Sequence, residues 1–202
     1  MNSIRTLFLD IGGVLLTDGW SPHIGEAAQR FGFDPEEAES RHRLTFAVYE
    51  EGKISLDEYL DRIVFFRERP FSREAFKEFV FSRSQSYPRM IDLFRRLKKR
   101  YDLQVIAVSN EGKELALYRN RKFDLGSLMD VFVYSYIVRC RKPDEEIFRV
   151  ALEIAQEPPD HILYIDDQGL FVEIVAPLGI RGIHHTGYDS TQTALGEFSL
   201  SL

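Results

Sequence analysis

The sequence predicts an α/β chain: a doubly wound parallel sheet with an all-helical unit inserted after its first strand. Three observations carry that expectation. Short continuous apolar runs recur along the chain, as strands buried on both faces do. Between most of them, apolar residues fall at helical spacing. One long stretch, from about Thr17 to Tyr87, holds helical stripes and no convincing strand.

The first run, Thr6-Leu7-Phe8-Leu9, ends at Asp10 and passes into Ile11-Gly12-Gly13-Val14. Asp10 therefore stands at the tip of a buried strand, where glycines let the chain turn away. The carboxyl ends of strands are where open α/β sheets place their sites. An acid there is a ligand or a nucleophile, or it caps the turn.

Ile24, Ala27, Ala28 and Phe31 then form one helical stripe, and Leu56, Tyr59, Leu60 and Ile63 form another. The second starts at a capping box made by Ser55 and Glu58. Phe76, Phe79 and Val80 mark a further helix opening at Ser72. The phenylalanines Phe65, Phe66, Phe71, Phe76, Phe79 and Phe81 read as the core of this inserted unit. Following directly on the strand that carries Asp10, the unit sits above that carboxylate and is a cap by geometry. The expected division is a core of residues 1–16 and 88–202 and a helical cap of residues 17–87.

Beyond the insertion, Met90, Leu93, Phe94 and Leu97 predict a helix with Pro88 near its start. Its basic run Arg95-Arg96-Leu97-Lys98-Lys99-Arg100 lies late in the pattern, where cations oppose the negative end of the dipole, and reads as a solvated helix end. Strands are expected over Val105–Val108, Val131–Tyr134, Ile162–Ile165 and Ile180–His184. Ile147, Val150, Ala151 and Ile154 predict another helix after Pro143 and an acidic first turn of Asp144, Glu145 and Glu146. Thr186 to Leu202 reads as a terminal helix or a frayed end.

Composition narrows the function. At 202 residues the chain can bury one substantial core plus a smaller unit. A net charge of −6 argues against a nucleic-acid partner, because phosphate backbones need a basic face. No stretch approaches the ~20 apolar residues of a membrane span. The run from Leu7 to Leu16 is broken by Asp10 and lacks a small-residue cleavage site, so it is not read as a signal peptide. Cys140 is the single cysteine, which excludes an intrachain disulfide and fits a reducing compartment. A cytoplasmic protein is expected. Arg139 and Arg141 flank Cys140, but the plain reading is a cysteine in a connecting segment. His184 and His185 are adjacent and would point to opposite faces of a strand. Arg41, His42 and Arg43 are taken as a solvated helix face.

Three more strand tips carry chemistry. The run Val105-Ile106-Ala107-Val108 leads straight into Ser109-Asn110-Glu111, with Gly112 opening a helix. A hydroxyl and backbone N–H groups there suit an anionic oxygen, or cap the helix. Arg141-Lys142-Pro143-Asp144 follows the third strand, and its lysine can hold a positive charge over an anion. The fourth strand ends at Asp166-Asp167, adjacent acids that repel each other unless a cation intervenes. Magnesium, a hard ion bound by oxygen, suits such a pair.

In this order the four pieces resemble the haloacid dehalogenase superfamily, its phosphatase-like branch with a helical C1-type cap. The motifs stand as Asp-Ile-Gly-Gly-Val at Asp10, Ser-Asn at Ser109, Lys-Pro-Asp at Lys142 and Asp-Asp at Asp166. The resemblance implies a Rossmann-like core and a magnesium-dependent hydrolase that removes phosphate from a small phosphomonoester, with sugar phosphates among the candidates. It implies that Asp10 attacks phosphorus and forms an aspartyl-phosphate that water then hydrolyses. Magnesium would be held by Asp10, the main-chain carbonyl of Gly12, and Asp167. Asp166 would act through water or orient Lys142. Ser109, the Asn110 amide and Lys142 would take the phosphoryl oxygens. The implied partner is a small phosphorylated metabolite, bound by a monomer or homodimer.

Two positions depart from that pattern. Such phosphatases usually carry a second Asp two residues after the nucleophile, to protonate the leaving group and activate water; here it is Gly12. His23 and Glu51 are the candidate substitutes. An Asn expected four residues after the second Asp of the pair is Phe171. Two other readings follow. A metal-independent 2-haloacid dehalogenase would use the same Asp10 and Ser-Asn pair, but Asp166-Asp167 would repel its carboxylate substrate. A catalytically weak family member would bind a phospho-ligand without turnover. A phosphomutase fits less well, since Gly12 leaves no acid to shuttle protons.

Overall fold

The computed structural model describes residues 3–20 and 23–202. Parts of the expected core and cap that fall on Met1, Asn2, Ser21 and Pro22 lie outside the described residues. Five parallel strands, β1 (Thr6–Leu9), β2 (Gln104–Ser109), β3 (Val131–Tyr134), β4 (Ile162–Asp166) and β5 (Arg181–His184), form a sheet in the order β3-β2-β1-β4-β5. β5 starts one residue later than expected, because the Ile180 N–H still closes a turn onto the Val175 carbonyl. The apolar strands alternate faces. Leu7, Leu9, Val105 and Leu163 pack under helices α5 (Pro88–Tyr101) and α10 (Tyr188–Glu197). Phe8, Ile106 and Tyr164 pack under α8 (Glu146–Ala155) and α9 (Gly169–Val175).

The chain leaves β1, builds β2 and β3 on one side, then crosses to build β4 and β5 on the other. Leu9 pairs with Ala107 and with Ile165, so β1 is the strand at which the order reverses. Crevices at such points open beyond the carboxyl ends.

Among the described residues, four α-helices lie between β1 and β2 ahead of α5: α1 (Ile24–Phe31), α2 (Pro35–Glu50), α3 (Leu56–Ile63) and α4 (Arg73–Ser82). They share their own apolar cluster, with Trp20, Tyr59, Ile63 and Phe76 at its centre. The Ser55–Glu58 capping box and the Ser72 N-cap both form. Phe66 is not in that cluster; the Arg41 guanidinium lies over its ring, 3.6 Å from the centroid. The helix α2 has no apolar stripe to announce it. It starts instead on the Asp34 side chain, which accepts from the Glu36 and Glu37 N–H groups.

Three expectations change. His42 is not on a solvated face: it is buried, and its Nδ1 lies 2.6 Å from the Tyr59 hydroxyl. The buried face of α8 is Ile147, Phe148, Ala151 and Ala155, whereas Ile154 is exposed. That helix begins only at Glu146, with Asp144 Oδ1 accepting from the Glu146 N–H at 3.0 Å. The terminal segment forms α10, and Leu200 beyond it is buried.

Two chain crossings join the helical unit to the sheet and run side by side. The Thr17 N–H donates to the Gln85 carbonyl and the Tyr87 N–H to the Leu15 carbonyl, both at 2.8 Å. A third helix-borne group locks them. From α6 (Lys113–Lys122), buried Arg119 donates to the Thr17 carbonyl, the Ser84 hydroxyl and the Glu111 carboxylate. The turn between α2 and α3 rests directly on the core. Ser135 Oγ, at the start of the short helix α7 (Ser135–Val138), donates to the Glu50 carbonyl, and Glu114 accepts from the Tyr49 hydroxyl and the Leu56 N–H.

Candidate active site

The ends of β1, β2 and β4 bring Asp10, Ser109 and Asp166 to one edge of the sheet, because the three strands are adjacent and in register. Lys142 enters from the loop before α8, across a cis Lys142-Pro143 peptide. Its Nζ lies 2.9 Å from Asp10 Oδ1 and 2.6 Å from Asp166 Oδ2, with the Tyr164 hydroxyl at 3.2 Å. Lys142 is 1% exposed, so this ammonium is desolvated and held almost wholly by its partners.

Asp166 is the most committed acid. Its Oδ2 accepts from Lys142 and from the Tyr164 hydroxyl, and its Oδ1 accepts from the Gln168 N–H at 2.7 Å. Asp167 is half-buried and accepts from Gln168 Nε2 at 2.8 Å. Gly13, with φ of 71°, lets the loop pass under it; a Cβ there would lie 2.3 Å from the Asp167 carboxyl carbon. Asp10, Asp166 and Asp167 each offer an oxygen within 4.8 Å of the others. Three carboxylates against one ammonium leave a negative excess that a hard divalent cation would neutralise.

The charges pull the titrations in opposite directions. Burial pushes the Asp10 carboxyl up to about 7, against the pull of Lys142 and with the further push of Asp166. Burial alone would lower Lys142, but Asp10 and Asp166 hold its ammonium above the ordinary range. Burial likewise raises Asp167.

Ser109 is buried beside Asp10, and its hydroxyl favours the ionised Asp10. The Asn110 side chain is spent on Lys142: its Nδ2 donates to the Lys142 carbonyl at 2.9 Å, and its Oδ1 accepts from the Lys142 N–H at 2.8 Å. The Asn110 side chain is thus occupied by the Lys142 main chain. Phe171, where the pattern wanted an Asn, puts its ring 5.1 Å from Lys142 Nζ, so an aromatic face replaces a hydrogen bond there.

A cavity of about 390 Å³ opens above these groups, between the sheet edge and the helical unit. Asp10, Ser109, Lys142 and Asp167 form its floor, while Trp20, Phe46, Tyr49 and Tyr59 supply an aromatic wall. Glu50, at the end of α2, also lines it and was not anticipated. It is buried, its carboxyl is raised by burial to about 7, and Arg141 Nη2 stands 2.9 Å from its Oε2 without hydrogen-bond alignment. The weak sequence signal was an acid just before the Gly52 turn. The two acid candidates from the sequence lie outside the cavity walls: Glu51 pairs with Lys53 at 2.7 Å, and His23 lies 3.6 Å from Glu26. Burial and the acids Asp144, Glu146 and Glu51 push the Cys140 thiol up, which disfavours its thiolate.

A Rossmann-like parallel sheet, acids at the tips of adjacent strands and a buried lysine between them define a class of hydrolase. The chain belongs to the haloacid dehalogenase-like hydrolase family, whose model matches residues 4–169. Among curated proteins it is similar to a phosphorylated carbohydrates phosphatase of Thermotoga maritima, 27% identical over 90% of this chain and 84% of that one. Among solved structures, a HAD family enzyme of Bacteroides thetaiotaomicron superposes with a TM-score of 0.81 at 25% identity, covering 93% of this chain and 97% of that one. The same enzyme in complex with magnesium and inorganic phosphate matches with a TM-score of 0.78 at 23% identity, over the same shares. A predicted HAD-like family hydrolase of Porphyromonas gingivalis covers both chains fully, with a TM-score of 0.80 at 18% identity.

Proposed function

We propose that this hydrolase is a magnesium-dependent phosphatase of small phosphomonoesters, sugar phosphates among them, working through an aspartyl-phosphate on Asp10. The observation that carries the reading is the buried Lys142 held between Asp10 and Asp166 at the floor of the cavity. Its ammonium holds Asp10 Oδ1 at 2.9 Å, and in this reading the Asp10 carboxylate would attack phosphorus. Asp166, with both oxygens engaged by protein donors, orients Lys142. The main-chain N–H of Asn110, the Ser109 hydroxyl and Lys142 would bind the phosphoryl oxygens, stabilising the charge that spreads over them in the transition state.

The donor set fits magnesium: all-oxygen, closely spaced and over-supplied with negative charge. Asp10, Asp167 and the Gly12 carbonyl would hold the ion, which when bound neutralises and aligns the phosphoryl oxygens. The Thermotoga relative's activity and the magnesium–phosphate complex of the Bacteroides enzyme support the same assignment. Residues 17–87 would act as the cap that selects the substrate, over a core of residues 1–16 and 88–202. The aromatic wall of Trp20, Tyr49 and Tyr59 favours a ring with apolar faces, such as a sugar's. The haloacid dehalogenase alternative is disfavoured, since the excess carboxylates repel an anionic haloacid.

The test is release of inorganic phosphate from a panel of sugar phosphates and para-nitrophenyl phosphate, with magnesium and with EDTA. Turnover that requires magnesium and disappears in Asp10→Asn is expected. Magnesium binding without hydrolysis of any ester would replace this reading with that of a phospho-ligand-binding protein.

A further inference from the structure

Cleaving an alkyl phosphomonoester expels an alkoxide, which needs a proton, and hydrolysing the acyl phosphate needs water to lose one. The cluster at the cavity floor supplies neither. Lys142 is enclosed, Asp166 is fully bonded, and Asp10 and Asp167 are committed to nucleophile and metal. A further carboxyl must therefore reach the cavity, on a stretch that approaches the phosphoryl group from the leaving-group side.

Among the described residues, three other carboxylates line the cavity. Glu111 is locked to Arg119 at 2.7 Å, both side chains under 5% exposed. Glu50 stands 2.9 Å from Arg141 at the end of α2 and is not among the atoms within 4 Å of the space a side chain at residue 12 would enter. The phenols of Tyr49 and Tyr59 are pushed far up by burial and do not offer protons readily. Asp18 remains. It sits where the chain leaves the core for the helical unit, no hydrogen bond or ion pair among the described residues occupies its carboxylate, and it lines the cavity with Asp10 and Gly12.

Its position is particular. A Cβ built on Gly12 would meet Asp18 Oδ1 at 3.2 Å and, among the described residues beyond its chain neighbours, no other atom within 4 Å. The space that a side chain at residue 12 would enter is thus bordered by the Asp18 carboxylate. Asp18 is also near enough to the Asp167 and Glu111 carboxyls for its charge to add to the effect of burial on both. We infer that Asp18 is the general acid and base of the reaction, delivered from the first chain crossing into the space that Gly12 leaves open.

The inference rests on the phosphatase reading. In the first half, an Asp10 oxygen bonds to phosphorus as the P–O bond to the alcohol breaks, and the Asp18 carboxyl gives its proton to the departing alkoxide. In the second, the Asp18 carboxylate takes a proton from water as the water oxygen bonds to phosphorus. The Asp10–phosphorus bond breaks, its electron pair returns to Asp10, and inorganic phosphate leaves with Asp18 protonated again.

The experiment compares wild type, Asp18→Asn and the double variant Gly12→Asp/Asp18→Ala on a sugar phosphate and on para-nitrophenyl phosphate, whose phenolate leaves without a proton. Phosphorylated Asp10 is trapped by acid quench, and magnesium affinity is measured by calorimetry. Asp18→Asn is expected to lose about 10²–10⁴-fold in kcat on the sugar phosphate. On para-nitrophenyl phosphate it should still phosphorylate Asp10 and accumulate the phosphorylated enzyme, with magnesium affinity unchanged. The double variant should recover at least tenfold on the sugar phosphate. Equal rates for wild type and Asp18→Asn on both esters, equal losses on both without accumulation, or loss of magnesium binding would each overturn the assignment. Wild type that hydrolyses neither ester overturns the phosphatase reading, and the Asp18 assignment falls with it.

Discussion

Lys142 shows how one buried charge organises the site. Its ammonium is compensated by Asp10 and Asp166 and by little water. Lys142→Met leaves those carboxylates uncompensated and is expected to cost about 3–5 kcal/mol in EDTA, less in magnesium, read by urea unfolding in each buffer. A loss equal in the two buffers would argue against a shared charge balance. Glu50 gives the pH dependence of stability. Its carboxyl rises from 4.5 to about 7 because burial outweighs the pull of Arg141, while Glu111 and Asp10 add to the rise and Lys142 opposes it. Folding thus favours the protonated form, so this contribution is full below about 4.5 and is lost as pH rises through about 7. Relative to wild type, Glu50→Gln should gain about 3 kcal/mol between pH 4.5 and pH 8, measured by denaturant midpoints. An unchanged difference between the two would mean the carboxyl titrates normally.

At the scale of elements, the helical unit depends on its caps and on one tight contact with the core. The Ser55 hydroxyl accepts from the Glu58 N–H at 3.2 Å and Glu58 returns a bond to the Ser55 N–H at 2.8 Å. Ser55→Ala should cost about 1 kcal/mol in thermal unfolding and leave ester hydrolysis intact. Gly112, at the start of α6, packs against the Tyr49 ring so closely that a Cβ there would lie 2.1 Å from it. Gly112→Ala therefore forces α2 away from the sheet edge. It should raise KM for sugar phosphates more than for inorganic phosphate as inhibitor, because the floor stays and the aromatic wall moves. Equal effects on both would place the damage in the floor. The strands and the capped helices were legible because their signals are local: apolar runs, alternating faces, and Ser or Pro at helix starts. The helix α2 was not, since Arg, His and Leu44 interrupt any stripe and burial of His42 comes from Tyr59, a residue on another helix.

For the molecule as a whole, the reversal of strand order at β1 fixes the site and the two paired crossings fix what hangs over it. Arg119 ties both crossings to Glu111, so the helical unit and the acid-bearing edge form one structure held by a buried ion pair. If the acid cluster holds magnesium, the ion stabilises the whole fold by mass action. At a hundredfold excess over Kd the gain is about 2.7 kcal/mol, seen as a magnesium-dependent rise in melting temperature that Asp167→Asn removes. A rise of the same size in Asp167→Asn would move the ion elsewhere.

The sequence by itself determined the α/β class, all five strands and the residues at their tips. Asp10, Ser109, Asp166 and Asp167 each end or follow an apolar run, and Lys142 is flagged by its proline; such signals need only neighbours along the chain. The tertiary structure alone decided what those residues touch. It turned the Asn110 side chain onto Lys142, set Phe171 over the same ammonium, and buried Glu50 and Arg141 together in the cavity wall. It also brought Asp18 beside Gly12, and left His23 and Glu51 outside the cavity walls. These are contacts between segments far apart in the chain. Strand order and the docking of one helical layer on the sheet create them, and neither is written in the spacing of any single segment.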